Sequence, residues 1–232
     1  MITPRTAALI RIIVDEYVST GLPVASKQLV EKYDLHLSSA TVRNIMAELV
    51  EMGFLGQPHT SAGRIPLAAA YRYYVESLVE DEVLQDEIME RIIRERETQA
   101  EEDYFREIVR RLAFFTSEAA LLIFPGKVYF SGIANLLQYP EFSDSVKARK
   151  VIRLLEEPEL LEHIISQVPP REQVVFVIGD ENAFDDMHEC SLALTQFQTP
   201  SQQGTLGVMG PMRMNYSRAF GILDHISHFS RY

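Results

Sequence analysis

The residues with the clearest chemical potential lie between positions 38 and 64. Taking 100° per residue from Val42, the side chains of Val42, Met46, Leu49 and Val50 fall on one face of a helix. Ala40, Arg43, Asn44, Ala47 and Glu51 fall on the opposite face. Two alanines among polar residues make a low, flat surface, the shape a helix needs to approach base edges in a DNA major groove. Arginine and asparagine pair bidentately with guanine and adenine. A solvent-facing amphipathic helix carries the same pattern, so the spacing alone leaves both readings open. Downstream, Gln57-Pro58-His59-Thr60-Ser61-Ala62-Gly63-Arg64 combines hydroxyls, a histidine and an arginine on a glycine-hinged loop. Such a loop suits contact with phosphate or a minor groove, although an ordinary polar hairpin loop has much the same composition.

Other chemistry is thin. His188, Cys190, His225 and His228 include two histidines three apart, but no carboxylate or thiolate completes a familiar metal spacing. They read as unrelated core or surface residues, and neither a metal nor a cofactor is expected. Cys190 lacks an identifiable activating base and reads as a small buried hydrophobe, not a nucleophile. Gly204, Gly207 and Gly210 are three apart, unlike a phosphate-binding fingerprint, and would shape a strand and a turn. Arg213 and Arg218 are expected to form structural ion pairs. No catalytic residue is assigned, and the chain is not expected to be an enzyme.

The elements that must position the 38–64 segment follow from periodicity and breakers. Leu9, Ile12, Ile13 and Tyr17 share one face of a helix over 7–19, with Arg11, Asp15 and Glu16 elsewhere. Thr20-Gly21-Leu22-Pro23 stops it. Ser26 is the expected N-cap of a short helix over 27–33. Ser38 or Ser39 caps a third helix to Met52, with Gly53 as its stop. Two short strands flank the 56–63 loop, and a further helix spans 67–79. Residues 80–112, dense in Glu and Arg, read as a long amphipathic linker helix, either solvated or paired with a second copy. Residues 113–232 mix elements. Strands are expected at 119–124, 174–178, 191–197 and 204–209, with helices over 145–157, 159–168 and 215–229.

The chain has 232 residues, a net charge of −11 and one cysteine. That length can bury a core without covalent staples, and a lone cysteine excludes an intrachain disulfide. Neither a signal pattern nor an apolar run near the ~18 residues of a membrane span is present, so a cytoplasmic protein without membrane association is expected. The charge is uneven: residues 1–78 hold seven basic and seven acidic residues, and all the excess acid lies beyond them. A diffuse polyanion binder is disfavoured, and two modules with different tasks are expected.

Several segments together resemble one family. Thr3-Pro4-Arg5, Gly21-Leu22-Pro23-Val24, Ser26-Lys27, the run from Leu37 to Asn44, Met46-Ala47-Glu48-Leu49 and Gly53-Phe54-Leu55 lead to the most specific stretch, Gln57-Pro58-His59-Thr60-Ser61-Ala62-Gly63-Arg64-Ile65-Pro66. Asn135-Leu136-Leu137, Pro140-Glu141-Phe142, Glu181-Asn182, Gly210-Pro211, Arg213-Met214 and Tyr216-Ser217-Arg218 continue in the same order. The chain resembles the heat-inducible transcription repressor (HrcA) family. The resemblance implies an α+β protein with an N-terminal winged helix-turn-helix over 1–79, a long linker helix over 80–112 and a trimmed GAF-like α/β domain over 113–232. It implies a bacterial cytoplasmic homodimer that binds double-stranded DNA at an inverted-repeat operator, the CIRCE element, is nucleoid-associated when bound, and is kept active by the GroE chaperonin. Ser38, Ser39, Thr41, Arg43, Asn44, Ala47, His59, Thr60, Ser61, Gly63 and Arg64 would contact DNA. Two departures stand out. Family members are about a hundred residues longer, with the shortfall expected before Gly132 where the dimerisation insert lies, and Ile45 stands where an acidic residue is common. Alternatives from other classes are a ligand-responsive regulator and a protein-interaction module without DNA binding.

Overall fold

The computed structural model describes residues 2–59, 62–78, 101–166, 168 and 173–229. The chain divides into two compact units, Met1–Val79 and Glu80–Tyr232.

In the first unit, α1 (Pro4–Thr20) starts at Thr3, whose hydroxyl accepts from the Thr6 N–H, and Pro4 takes a first-turn position where its missing N–H is harmless. It ends at Gly21, left-handed at φ 66°. Leu9, Ile10, Ile13 and Val14 are fully buried, whereas Ile12 and Tyr17, expected on the inner face, are half-buried. Glu16 is a larger departure. The helical spacing puts it off the apolar face, yet it is only 2% exposed. Its carboxylate accepts from Gln28 Nε2 at 2.8 Å, Lys32 Nζ at 2.5 Å and Tyr33 Oη at 2.9 Å. A buried carboxylate is tolerable only when so satisfied, and here it ties α1 to α2 (Ser26–Lys32). Ser26 is not the N-cap of α2. Ala25 holds that place without a side-chain bond, and Ser26 is already helical and buried.

Helix α3 (Ser39–Glu51) has Ser38 as N-cap, its Oγ accepting from the Thr41 N–H at 3.1 Å. Val42, Met46 and Leu49 are buried and Gly53 follows at φ 78°, as the helical spacing predicts. Then β1 (Leu55–Gly56) and β2 (Ile65–Pro66) pair antiparallel, Leu55 opposite Pro66. A separate bridge joins Val24 to Arg64, so the ribbon is anchored to the turn before α2. Helix α4 (Ala68–Leu78) closes the unit; its Tyr74 hydroxyl donates to Asp15 on α1 at 2.6 Å.

The second unit is built on a five-stranded antiparallel sheet. Its strands are β3 (Ala119–Phe124), β4 (Lys127–Ser131), β5 (Val175–Ile178), β6 (Cys190–Gln198) and β7 (Gln203–Pro211), in the spatial order β4-β3-β7-β6-β5. One face carries Phe124, Tyr129 and Phe197 around Phe105 of α5 (Glu101–Thr116). The same face continues to Phe176 and Ser191, which meet Tyr216 of α9 (Tyr216–Phe229). The other face carries Leu121, Ile123, Leu192, Leu194 and Met209 under α6 (Ile133–Leu136), α7 (Ser145–Glu156) and α8 (Pro158–Ser166). Every residue of β3 is buried because both faces are covered.

The linker expectation over 80–112 lies mostly outside the described residues. Where it is described, α5 runs on to Thr116 without a break at 112, because Phe105, Ile108, Val109, Leu112 and Ala113 form one continuous buried stripe. β4 was not expected from sequence; its half-exposed edge position hides the apolar pattern. No described helix is long and apolar enough to cross a membrane.

Candidate nucleic-acid interface

Ser38 both caps α3 and pairs its hydroxyl with that of Thr41 at 2.9 Å. From there the helix presents Ala40, Thr41, Arg43, Asn44 and Ala47 exposed, with Ser39 half-buried. The flat alanine-bearing surface is therefore open to a partner. Ile45 is half-buried, packing on the edge of the apolar face.

The ribbon loop supplies the other half. His59 is exposed, while Gly63 and Arg64 are half-buried; Thr60 and Ser61 lie outside the described residues. Gly63 is not at positive φ. It is required for a different reason: a Cβ there would sit 2.4 Å from the Val24 carbonyl oxygen and 2.8 Å from the Pro23 carbonyl carbon, too close for any side chain. The close approach lets Arg64 and Val24 exchange two backbone hydrogen bonds, each 2.8 Å.

Between helix and ribbon lies a cleft of about 360 Å³. Arg43 and Met46 of α3 form one wall, Val24, Ala25 and Ser26 the floor, and Gln57 with Ala62, Gly63 and Arg64 the other wall. Among the described residues no acidic one lines it. The sequence puts Arg43 and Arg64 in separate segments, carries Gln57 only as part of the polar loop, and gives Val24 and Ser26 no place in the site. The pairing of Val24 with Arg64, forty residues apart, leaves no local signal. Of the residues expected to touch DNA, the structure brings Arg43, Gly63 and Arg64 around this cleft. It leaves Asn44 and Ala47 on the open helix face.

Most of the remaining candidates are structural, and the His228 side chain lies outside the described residues. Cys190 is fully buried in the apolar core, and burial pushes its thiol up to about 12, opposite to what a nucleophile requires. His188 Nε2 lies 3.2 Å from the Asn182 carbonyl oxygen; His225 is buried on α9. Among the described residues no group of His, Cys, Asp and Glu is arranged to hold a metal ion. Arg213 pairs with Glu141 through two guanidinium nitrogens and lies 4.9 Å over the Tyr139 ring. Arg218 is exposed. Gly204 and Gly207 each have a neighbouring strand's carbonyl oxygen within 2.6 Å of where a Cβ would stand. They serve sheet packing.

Beneath that arginine sits Glu118, fully buried, accepting from the Tyr139 hydroxyl at 2.7 Å. Burial outweighs this hydrogen bond and the Arg213 charge, and pushes its carboxyl up to about 8.

Comparison with known proteins places this geometry in context. The family model described as the HrcA protein C terminal domain matches residues 68–220. The heat-inducible transcription repressor HrcA of Symbiobacterium thermophilum is 28% identical, with 99% of this chain and 98% of that protein covered. The repressors of the same name from Desulforudis audaxviator and Acetivibrio thermocellus are 27% and 25% identical; 97% and 96% of this chain are covered, and 96% and 93% of theirs. The latter alignment runs over 327 positions, 95 more than this chain has residues. A solved structure of a hypothetical protein superposes with a TM-score of 0.81 at 17% identity, covering 100% of this chain and 98% of that one; it shares the fold.

Proposed function

Starting from the premise that the chain belongs to the HrcA protein family, we propose that it is a cytoplasmic transcription repressor of heat-shock genes that binds inverted-repeat, double-stranded DNA as a homodimer. The observation that carries the DNA-binding part is the exposed, alanine-lined face of α3 beside a cleft with two arginines and, among the described residues, no acid. In this reading Met1–Val79 is a winged helix-turn-helix. α3 enters the major groove with Asn44 and Ala47 toward base edges. The β1–β2 ribbon is the wing, and Ser38, Ser39, Thr41, His59, Thr60, Ser61 and Gly63 complete the contact surface. The second unit is a trimmed GAF-like domain that joins two copies, helped by the linker over 80–112.

Charge explains why a dimer is needed. The first unit is net neutral, and affinity for DNA grows with the number of phosphates neutralised. One unit would bind weakly. Two units joined in one assembly bind at high effective concentration, and a two-fold dimer demands a palindromic site with half-sites near integral helical turns. The acidic remainder suppresses indiscriminate binding. Under heat, chaperonin of the GroE type is drawn to unfolded clients, the repressor loses its folding help, and its targets are released.

Fluorescence anisotropy on a labelled CIRCE-type inverted-repeat duplex, against a scrambled duplex across a salt titration, tests this function. Selective binding with two protomers per duplex and a steep negative salt slope is the expected result. Equal, weak binding to both duplexes would overturn the repressor reading.

A further inference from the structure

We propose that the cleft between α3 and the ribbon is a clamp for a single DNA backbone phosphate, closed by Arg43 and Arg64 together, and that Arg43 therefore positions the protein on DNA and does not read a base. The inference rests on the DNA-binding reading above and assigns a ligand to one part of that surface.

Three observations carry it. Arg43 lies about 100° round the helix from Val42, between Met46 at about 40° and Ala47 at about 140°. It stands at the border of the open face, and it lines the cleft together with Met46. Arg64 enters the same cleft from the ribbon. Its Nη1 donates to the Ala62 carbonyl oxygen at 3.4 Å, while its Nε is buried and has no partner among the described residues. A buried guanidinium donor left unpaired is costly, so the side chain gains by turning into the cleft, where an oxyanion can reach its fork. The chemistry of the walls is selective. Two planar, permanently charged forks match the non-bridging oxygens of a phosphodiester, Ser26 and Gln57 lie alongside, and among the described residues no carboxylate lines the cleft to oppose an anion. Gly63 presses the ribbon against Val24, fixing where the Arg64 backbone begins.

The two arginines thus form a unit across a 21-residue separation. One phosphate is lost when either is removed, and it cannot be lost twice. Base discrimination is left to the open face of α3, where Asn44 has the matching donor and acceptor.

The test is a double-mutant cycle on the full chain: Arg43→Ala, Arg64→Ala and the double variant. Each is titrated by anisotropy on the inverted-repeat and scrambled duplexes from low to high salt, and melting curves check that each variant is folded. Each single change should weaken binding about tenfold on both duplexes alike. Each should also lower the salt slope by about 0.9 per DNA-binding unit. The double variant should bind scarcely worse than either single one. Lysine at either position should restore the salt slope and only part of the affinity. Multiplicative losses with twice the slope change would mean two separate phosphates and overturn the clamp. A loss at Arg43 confined to the inverted repeat would show base reading and overturn it too. Wild-type protein that binds both duplexes equally, with the cycle still non-additive, would retain the clamp while refuting selective repression. No binding by wild type to either duplex would refute both.

Discussion

Replacing Gly63 by alanine probes the joint that holds the ribbon to the rest of the first unit. The added Cβ would stand 2.4 Å from the Val24 carbonyl oxygen and 2.6 Å from its carbonyl carbon. Both neighbours are backbone, so no side chain can swing away. Relief requires the 62–64 segment to leave Val24, which breaks the two 2.8 Å hydrogen bonds of the bridge. At about 0.5–1.5 kcal/mol net for each bond, the loss is about 1–3 kcal/mol. Amide hydrogen exchange reads this directly. The Val24 and Arg64 amides should lose protection about 5- to 150-fold, at tenfold per 1.4 kcal/mol, and DNA affinity should fall with the displacement of Arg64. Gly53→Ala is the matched control. Gly53 is left-handed at φ 78° with nothing within 4 Å of the new Cβ. It should cost about 1–2 kcal/mol of stability through strain alone and leave the bridge amides protected. If Gly63→Ala keeps Val24 and Arg64 as protected as in wild type, the close-approach argument is wrong and the ribbon is not held by this contact.

Ala47→Glu places bulk and negative charge on the exposed face of α3. Stability should stay within about 0.5 kcal/mol, while affinity for the inverted repeat should drop at least about tenfold; unchanged affinity would remove this face from the interface. Glu118 makes stability pH-dependent in an unusual direction. Its folded carboxyl is raised to about 8, so the folded state holds the proton that the unfolded state releases. Stability therefore falls as pH rises from about 4.5 to about 8 and levels off above that. Glu118→Gln should abolish this decline and exceed wild type by on the order of a few kcal/mol at pH 9; parallel pH profiles in urea denaturation would contradict it. Glu16 acts oppositely. The Lys32 hydrogen bond holds its carboxyl below the ordinary range, so its contribution is present above the unfolded value and is lost as pH falls through the lowered one. Glu16→Gln should flatten the acid limb of the stability curve, and an unaltered acid limb would count against the α1–α2 tie.

What could be read in advance follows from how local each signal is. The inward face of α3 was legible because Val42, Met46 and Leu49 repeat at helical spacing and Ser38 and Gly53 punctuate the ends. β3 was legible as a short apolar run ended by Pro125-Gly126. The failures concern contacts made far along the chain. Glu16 looks like a surface residue until Gln28, Lys32 and Tyr33 converge on it. Gly63 looks like a hinge until Val24 is seen against it. Arg43 looks like a member of the flat face until Arg64 arrives across the cleft. Two distant segments must meet before any of these roles exists, and no periodicity records such a meeting.

The shortness of the chain bears on the second unit. The alignment to the Acetivibrio thermocellus repressor has 95 more positions than this chain has residues. A domain cut down by deletion could expose one face of its sheet, and bare apolar sheet is an aggregation hazard. Here α5 leads into the β3–β4 hairpin, whose tight turn places Gly126 at φ 74°, and β3 goes on to pair with β7 across the middle of the sheet. The face under Phe105 and Tyr216 is filled with aromatic rings, and the other is filled from α6, α7 and α8. The four strands inward of β4 thus have cover on both faces. The buried core of this sheet is closed by the chain's own helices, and apolar surface is left at the edge strand β4, where Phe130, opposite Leu121, stays 42% exposed.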